Sequence, residues 1–249
     1  MSLASIILAG GKGNRLQSIA KDKILLPLGE HAVICWSVGA CYYSKLFETL
    51  LIVYRDKSQK KQIQEQLEHS FGRSILKTIL WTVGGIRRQD SVLNALESLP
   101  KTTETVFVHD GARPFVTATD LNQLKKAFES SDTSTLATPV TDTIKRAEQV
   151  GGHWDNLNLE DLDRNRLFAM QTPQVFNHEQ LLKAYRHLNA TNEDVTDCVE
   201  AHRRYFQSNC RIVFPEQNNL KITRPEDVEF ANFLIQKGSI KNVIEFGKQ

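Results

Sequence analysis

Short apolar runs recur along this chain, each followed by a stretch with helical spacing or by polar residues. Ile6-Ile7-Leu8-Ala9 is the first and breaks into Gly10-Gly11. Val33, Ile34, Val38, Cys41 and Tyr42 follow at helical spacing, and Thr49-Leu50-Leu51-Ile52-Val53-Tyr54 predicts a second buried strand. Polar residues 57 to 69 predict a surface helix, Ile75 to Val83 a third strand, and Gly84-Gly85 a break before a helix over roughly 87 to 98. The alternation continues with a strand at Val106-Phe107-Val108-His109, a helix near 119 to 130 and a strand from Thr135 to Val140. After residues 141 to 165 it resumes with Leu167 to Phe176, helices from about 178 to 189 and near 194 to 204, a strand from Cys210 to Phe214, and a last helix opened by Pro225-Glu226-Asp227.

Strands that read as continuous apolar runs and alternate with helices imply an α/β fold: a Rossmann-like, mostly parallel sheet with helices on both faces. Ligands in such sheets bind beyond the carboxyl ends of the strands. Both glycine breaks and the segment Asp110-Gly111-Ala112-Arg113-Pro114 fall at those ends, so three separate stretches are expected to face one crevice. Residues 141 to 165 interrupt the rhythm with charged residues, Gly151-Gly152 and Trp154 but no clear period. A disordered loop, an insertion and a projecting arm all fit; because long structureless loops are uncommon inside compact domains, an arm buried on a second subunit is the preferred reading. With no repeat, low-complexity tract or linker, residues 1 to 249 are read as one domain carrying an arm at about 141–165.

Composition narrows the function classes. A formal charge of +2 is too small for a nucleic-acid binder, so any important positive charge must be local. Cys35, Cys41, Cys198 and Cys210 form no CxxC pair, and no zinc or disulfide role is expected of them. No run approaches 18 apolar residues, and no basic segment with an apolar stretch precedes the first strand, so the expected compartment is the cytoplasm with no membrane association.

The first glycine loop is where charge gathers. Between Lys12 and Lys23 stand Lys12, Arg15, Lys21 and Lys23 against Asp22 alone. Glycine-freed N–H groups and cations there suit a polyphosphate. The loop is neither a P-loop, since it lacks the Gly-Lys-Ser/Thr end, nor a dinucleotide fingerprint, since Leu16 replaces the third glycine. Gly84-Gly85-Ile86-Arg87-Arg88-Gln89-Asp90-Ser91 repeats the device, with Arg88 and Ser91 on one helix face; by itself it is equally a helix start with solvated arginines. Asp110 can supply one oxygen to Mg²⁺, which takes most of its shell from water and substrate phosphates, or pair internally with Arg113. His109 reads as structural, and Lys221, between apolar Leu220 and Ile222, reads as pointing to water.

Taken together and in order, His109-Asp110-Gly111-Ala112-Arg113-Pro114, Thr141-Asp142-Thr143-Ile144-Lys145-Arg146, Asp163-Arg164-Asn165, Gln171-Thr172-Pro173-Gln174 and Asn219 to Asp227 resemble the 2-C-methyl-D-erythritol 4-phosphate cytidylyltransferases, in register over nearly the whole chain. The first loop is similar to the wider nucleotidyltransferase pattern. The resemblance implies a nucleotide-diphospho-sugar transferase-like fold, CTP and a polyol phosphate as substrates, Mg²⁺ or another divalent cation, and a homodimer exchanging arms. It assigns Arg15 and Lys23 to the transition state and Arg164 and Lys221 to the acceptor phosphate. Ala9, Gly10, Gly11, Lys12, Gly13, Gly85, Arg88 and Ser91 match the CTP contacts; Asp110, Arg113, Thr143, Thr172 and Thr196 match the acceptor site, with Asp110 also the metal ligand. Gly10 stands where the family usually has alanine, Cys198 where an acid is usual, and Pro215 where glycine is common. A cytidylyltransferase for another polyol phosphate, such as ribitol 5-phosphate, and a non-catalytic nucleotide-binding regulator are the competing readings.

Overall fold

A computed structural model describes residues 2–11, 22–147 and 157–240. The chain opens with β1 (Leu3–Leu8), crosses a short antiparallel pair, β2 (Pro27–Leu28) and β3 (His31–Ala32), and enters α1 (Val33–Tyr43). Then come β4 (Thr49–Tyr54), α2 (Lys57–Phe71), β5 (Ile79–Val83), α3 (Arg88–Ser98), β6 (Thr105–Asp110), α4 (Ala118–Phe128) and β7 (Thr133–Pro139). A separate antiparallel ribbon joins β8 (Lys145–Ala147) to β9 (Leu159–Asp161), within the stretch expected to be an arm. β10 (Phe168–Asn177), α5 (His178–Thr191), α6 (Cys198–Phe206), β11 (Cys210–Val213) and α7 (Pro225–Gln236) complete the described chain.

The main sheet has the order β11-β7-β10-β6-β1-β4-β5. β1 pairs in parallel with β4 and β6, β4 with β5, and β7 with β11. β10 alone runs antiparallel, to both β6 and β7. The reason lies in its connection: parallel neighbours need a crossover, usually a helix, whereas the described residues between β7 and β10 include the β8–β9 ribbon and no crossover α-helix.

Alternation along the strands builds a core on each face. In β1, Leu3 and Ile7 join the cluster under α1, α2 and α4, while Ala4 and Ile6 join the one under α3, α5 and α6. β4 divides in the same way, with Leu50 and Ile52 on the first face and Leu51 and Val53 on the second. α1 is buried from Val33 through Cys41, and this accounts for its apolar composition on every side.

Two expected elements shift. The strand foreseen from Ile75 begins only at Ile79, because residues Arg73–Thr78 form a 3₁₀ turn whose inward side chain is Ile75; an apolar run does not distinguish the two conformations. The helix foreseen from 194 begins at Cys198. The side chain of Asp197 caps it by accepting from Glu200 N at 2.8 Å, and Gln174 holds the cap through Asp197 Oδ2 at 2.9 Å and Cys198 N at 3.1 Å.

From β1 the chain moves to β4 and β5 on one side and then crosses to β6 on the other, so the carboxyl end of β1 is a topological switch point. Below the switch point, inside β6, Phe107 is fully buried and meets Phe47 edge-on at 5.0 Å between ring centroids. Phe107→Ala is expected to destabilise the fold by about 3–5 kcal/mol in urea unfolding; a loss under about 1 kcal/mol, the range of ordinary surface substitutions, would contradict this core assignment.

Candidate functional site

A cavity of about 530 Å³ opens at the switch point, lined by Ala9, Gly10, Gly11, Lys23, Arg55, the Gly84–Arg88 segment, Ser91, Asp110 and Lys221. That volume suits a small-molecule ligand. Much of the lining follows the ends of the parallel strands β1, β4, β5 and β6. Ala9 N donates to Val53 O at 2.9 Å, Gly84 N to Tyr54 O at 2.7 Å and Gly111 N to Leu8 O at 2.9 Å, so the loops leaving β1, β5 and β6 are anchored on neighbouring strands. At two positions only glycine fits without displacement of a neighbour: a Cβ on Gly85 would lie 2.3 Å from Asp90 Cβ, and one on Gly111 would lie 2.9 Å from Ile34 Cδ1.

The centre of the site is the Asp110 carboxylate, where β6 ends. Lys221 Nζ donates to its Oδ2 at 2.6 Å and Arg88 Nη2 to its Oδ1 at 3.4 Å. Burial would raise this carboxyl's pKa, but Arg88 and Lys221 hold it well below the usual carboxylate range. Lys221 therefore points into the crevice toward Asp110, with part of its side chain still in water, whereas its alternation with Leu220 and Ile222 reads as pointing to water alone. Its segment is stitched beside the sheet: Ile222 N donates to Ala112 O at 2.8 Å, and Asn219 Nδ2 to Thr172 O at 2.9 Å and Gln171 Oε1 at 3.0 Å. Arg113 does not form the ion pair with Asp110 considered from sequence. Its Nη1 donates instead to Asn219 O at 2.8 Å, which further fixes the Lys221 segment.

His109 is structural, as expected. Its Nε2 faces the Arg113 carbonyl at 3.1 Å and must therefore carry the proton. Its Nδ1 accepts from the Thr172 hydroxyl at 3.1 Å, while that oxygen accepts from Asp110 N at 3.0 Å. Thr172, expected to touch the acceptor, is buried and commits its hydroxyl to holding the end of β6.

Among the expected site residues, the structure brings Ala9, Gly10, Gly11, Lys23, Gly85, Arg88, Ser91, Asp110 and Lys221 to one cavity. Ser91 Oγ accepts from Gly85 N at 3.0 Å and so shapes the second glycine turn. Lys12, Gly13 and Arg15 lie outside the described residues. Arg113, Thr143, Arg164, Thr172 and Thr196 do not line the cavity. Thr143 precedes β8, and Arg164 follows β9 with its Nη1 donating to Thr141 O at 2.8 Å, so both belong to the ribbon region. Thr196 bonds Glu200 Oε2 through both its N and its Oγ1, each at 2.8 Å. Cys198, where an acid is usual in the family resembled, is buried with its Sγ 3.6 Å from Arg88 Nη1 and 3.2 Å from the Tyr185 hydroxyl.

Sequence reasoning missed Arg55 and, behind it, Asp22 and Gln59. Arg55 follows directly on β4 and lines the cavity, and its Nη1 donates to the buried Asp22 at 3.0 Å. The rule that ligands lie past parallel strand ends, applied to the strand at residues 49–54 as it was to the others, points to Arg55. The fully exposed Ile86 at the cavity's edge carried no such signal.

Three comparisons with known proteins agree. A family model described as IspD, 2-C-methyl-D-erythritol 4-phosphate cytidylyltransferase, matches residues 3–237. Relatives bearing that enzyme's name include one from Prochlorococcus marinus (strain MIT 9515), 32% identical over 231 residues that cover 93% of this chain and 98% of that protein. Another, from Caldanaerobacter subterraneus subsp. tengcongensis, is 31% identical over 95% of this chain and all of its own length. Among solved structures, the 4-diphosphocytidyl-2C-methyl-D-erythritol synthase of Anaerococcus prevotii superposes with a TM-score of 0.79 at 26% identity, covering 94% of this chain and 96% of that one. The Francisella tularensis 2-C-methyl-D-erythritol 4-phosphate cytidylyltransferase gives a TM-score of 0.74 at 25% identity, covering 94% and 99%.

The geometry around His109 generates a prediction about protonation. Burial pushes the imidazole down to about 4. The unfolded chain, titrating near its ordinary value of about 6.5, then binds the extra proton between pH 6.5 and 4, and this histidine's contribution to stability is lost as pH falls through that window, by up to about 1.4 kcal/mol per pH unit. NMR titration of the His109 ring should give a midpoint below pH 5; a midpoint near 6.5 would contradict the neutral, buried arrangement.

Proposed function

The chain belongs to the 2-C-methyl-D-erythritol 4-phosphate cytidylyltransferase family, and from that premise we infer that it transfers CMP from CTP to 2-C-methyl-D-erythritol 4-phosphate with release of pyrophosphate. The observation that carries the reading on this chain's own atoms is the convergence of Lys23, Arg88 and Lys221 with the Ala9–Gly11 backbone in one cavity.

The reaction needs no protein nucleophile. An oxygen of the acceptor's phosphate, already anionic, attacks the α-phosphorus; the new P–O bond forms as the bond to the bridging oxygen breaks, and that oxygen leaves on pyrophosphate. The obstacle is the approach of one anion to another, and in phosphoryl-transfer chemistry positioning and electrostatic stabilisation supply most of the catalysis. In this reading Ala9, Gly10 and Gly11, with Lys12 and Gly13 beyond the described residues, cradle the triphosphate. Gly85, Arg88 and Ser91 face the nucleoside. Lys23 and Arg15 stabilise the charge that builds at the α-phosphorus, and Lys221 steers the acceptor phosphate against it. Asp110 holds Lys221 and Arg88 together at the cavity.

A divalent cation, in the first place Mg²⁺, is proposed to enter with the triphosphate, where it would neutralise charge on the phosphates. Asp110 fits as one ligand at most: its two oxygens already accept from Lys221 and Arg88, and no group of three histidine, cysteine or carboxylate side chains placed to hold a metal occurs among the described residues. Such a scarcity suits Mg²⁺, which draws most of its shell from substrate phosphates and water. Arg164 and Thr143, which do not line the cavity of their own chain, are proposed to serve a neighbouring copy's acceptor site across a homodimer, carried there by the β8–β9 ribbon. Among the described residues no helix is long and apolar enough to cross a membrane, and a cytoplasmic location is proposed.

The test is pyrophosphate release from CTP and Mg²⁺ with each acceptor supplied separately. Turnover is expected with methylerythritol phosphate, and Lys23→Ala and Lys221→Ala are each expected to lose about 10²-fold or more while remaining folded, as for removal of one preorganised donor. Turnover of ribitol 5-phosphate alone would replace the acceptor, tight CTP binding without pyrophosphate would point to a regulator, and full activity in Lys23→Ala would overturn the cationic account.

A further inference from the structure

Gln59 is a buried polar side chain to which the functional reading gives no role. Gln59 lies in the first turn of α2, fully buried, although its neighbours Lys57 and Ser58 are exposed. Its amide is spent on three partners. Nε2 donates to Ala9 O at 3.0 Å and to Asp22 Oδ2 at 2.5 Å, and Oε1 accepts from Arg55 N at 2.6 Å. Its own backbone N is held by the Asp56 cap at 2.9 Å. Arg55 closes the ring: Nη1 donates to Asp22 Oδ2 at 3.0 Å and Nε to Asp56 Oδ2 at 2.9 Å.

The placement of the partners gives this network its meaning. Ala9 is the last residue before the glycine run, and Asp22 is the residue before Lys23, so one amide grips both feet of the cationic loop that lies between them in sequence. Asp22 also caps the 3₁₀ turn Lys23–Leu25 through Ile24 N at 3.4 Å. Two donors of opposite origin, a neutral amide and a guanidinium, thus hold a carboxylate that would otherwise sit uncompensated and buried beside an anion-binding cavity.

We propose that Gln59, with Asp22 and Arg55, is a clamp that sets the ends of the phosphate-binding loop and so positions Lys23 and the Ala9–Gly11 backbone for CTP. Gln59 is a positioning residue, because it lines no part of the cavity and acts through groups that do. Arg55 has a second face: it lines the cavity itself and couples the clamp to whatever occupies it. The inference rests on the proposed reaction for its kinetic readout, though not for its structural one.

Gln59→Met keeps the length and loses all three hydrogen bonds. The control is Ser70→Ala on the same helix, which removes a buried hydrogen bond to His31 Nδ1, 2.9 Å long, and leaves the bonds among Ala9, Asp22, Arg55 and Gln59 in place. The clamp predicts that Gln59→Met, at a melting temperature matched to that of Ser70→Ala, lowers kcat by about tenfold or more and raises KM for CTP, since small misplacements of catalytic groups are costly. Ser70→Ala keeps both constants. Amide hydrogen exchange, followed by mass spectrometry without ligand, should quicken over residues 22–25 in Gln59→Met and stay at the wild-type rate in Ser70→Ala. Should Gln59→Met not fold, Arg55→Gln, which cuts only the guanidinium arm, is expected to quicken the same exchange and raise KM for CTP at least threefold. Wild-type kinetics and exchange in a folded Gln59→Met, or equal losses in Ser70→Ala, would overturn the clamp. A wild-type protein inactive with CTP would refute the reaction instead, and the exchange measurement would still decide the clamp.

Discussion

The Asp110 carboxylate is the constraint on which the rest of the site depends. It stands at the end of a central strand, pulled partly out of water, where an isolated charge is unfavourable. Its compensation comes from Arg88, at the start of α3, and Lys221, more than a hundred residues later. By satisfying itself, this acid gathers two cations from distant segments at the switch point of the sheet. Two cations brought to one cavity without it would repel each other and dissipate the fold's investment in placing them. With it they are held close and ready, and an incoming phosphate replaces one anion by another.

Around that centre, hydrogen bonds from groups outside the cavity lining do the positioning. Asn219 and Arg113 tie the Lys221 segment to the β6 loop, Thr172 and His109 brace the end of β6, and Gln174 holds the cap of α6 behind Arg88. Gln59 does the same for the first glycine loop. Apolar packing on both faces fixes the strands, and these hydrogen bonds transmit that rigidity to loops that carry charge. A preorganised electrostatic site demands this division, since the cations must not relax when the substrate binds.

The strands were legible because burial on both faces leaves unbroken apolar runs, as in Leu50 to Val53, and the last helix because Pro225-Glu226-Asp227 stands where it begins. Less was legible where a residue's fate is decided by partners far away in sequence. Alternation with Leu220 and Ile222 says that Lys221 faces away from them, but which environment lies there depends on Asp110. The reversal of β10 goes with a connection that has no crossover α-helix among its described residues, which the irregular stretch 141–165 concealed. The 3₁₀ turn at Ile75 shares its apolar signature with a strand. Gln59 reads as one more polar residue on a surface helix, and only the fold reveals that it meets both ends of the first loop.

The most direct test of the gathering role of Asp110 is a double-mutant cycle for unfolding at pH 7, using Asp110→Asn, Lys221→Met and the pair. Since Lys221 keeps part of its side chain in water, solvent screening reduces the interaction, and a coupling energy of at least about 0.5 kcal/mol is predicted. Strictly additive losses would contradict the account, because they would mean that the carboxylate and the ammonium are neighbours without depending on one another.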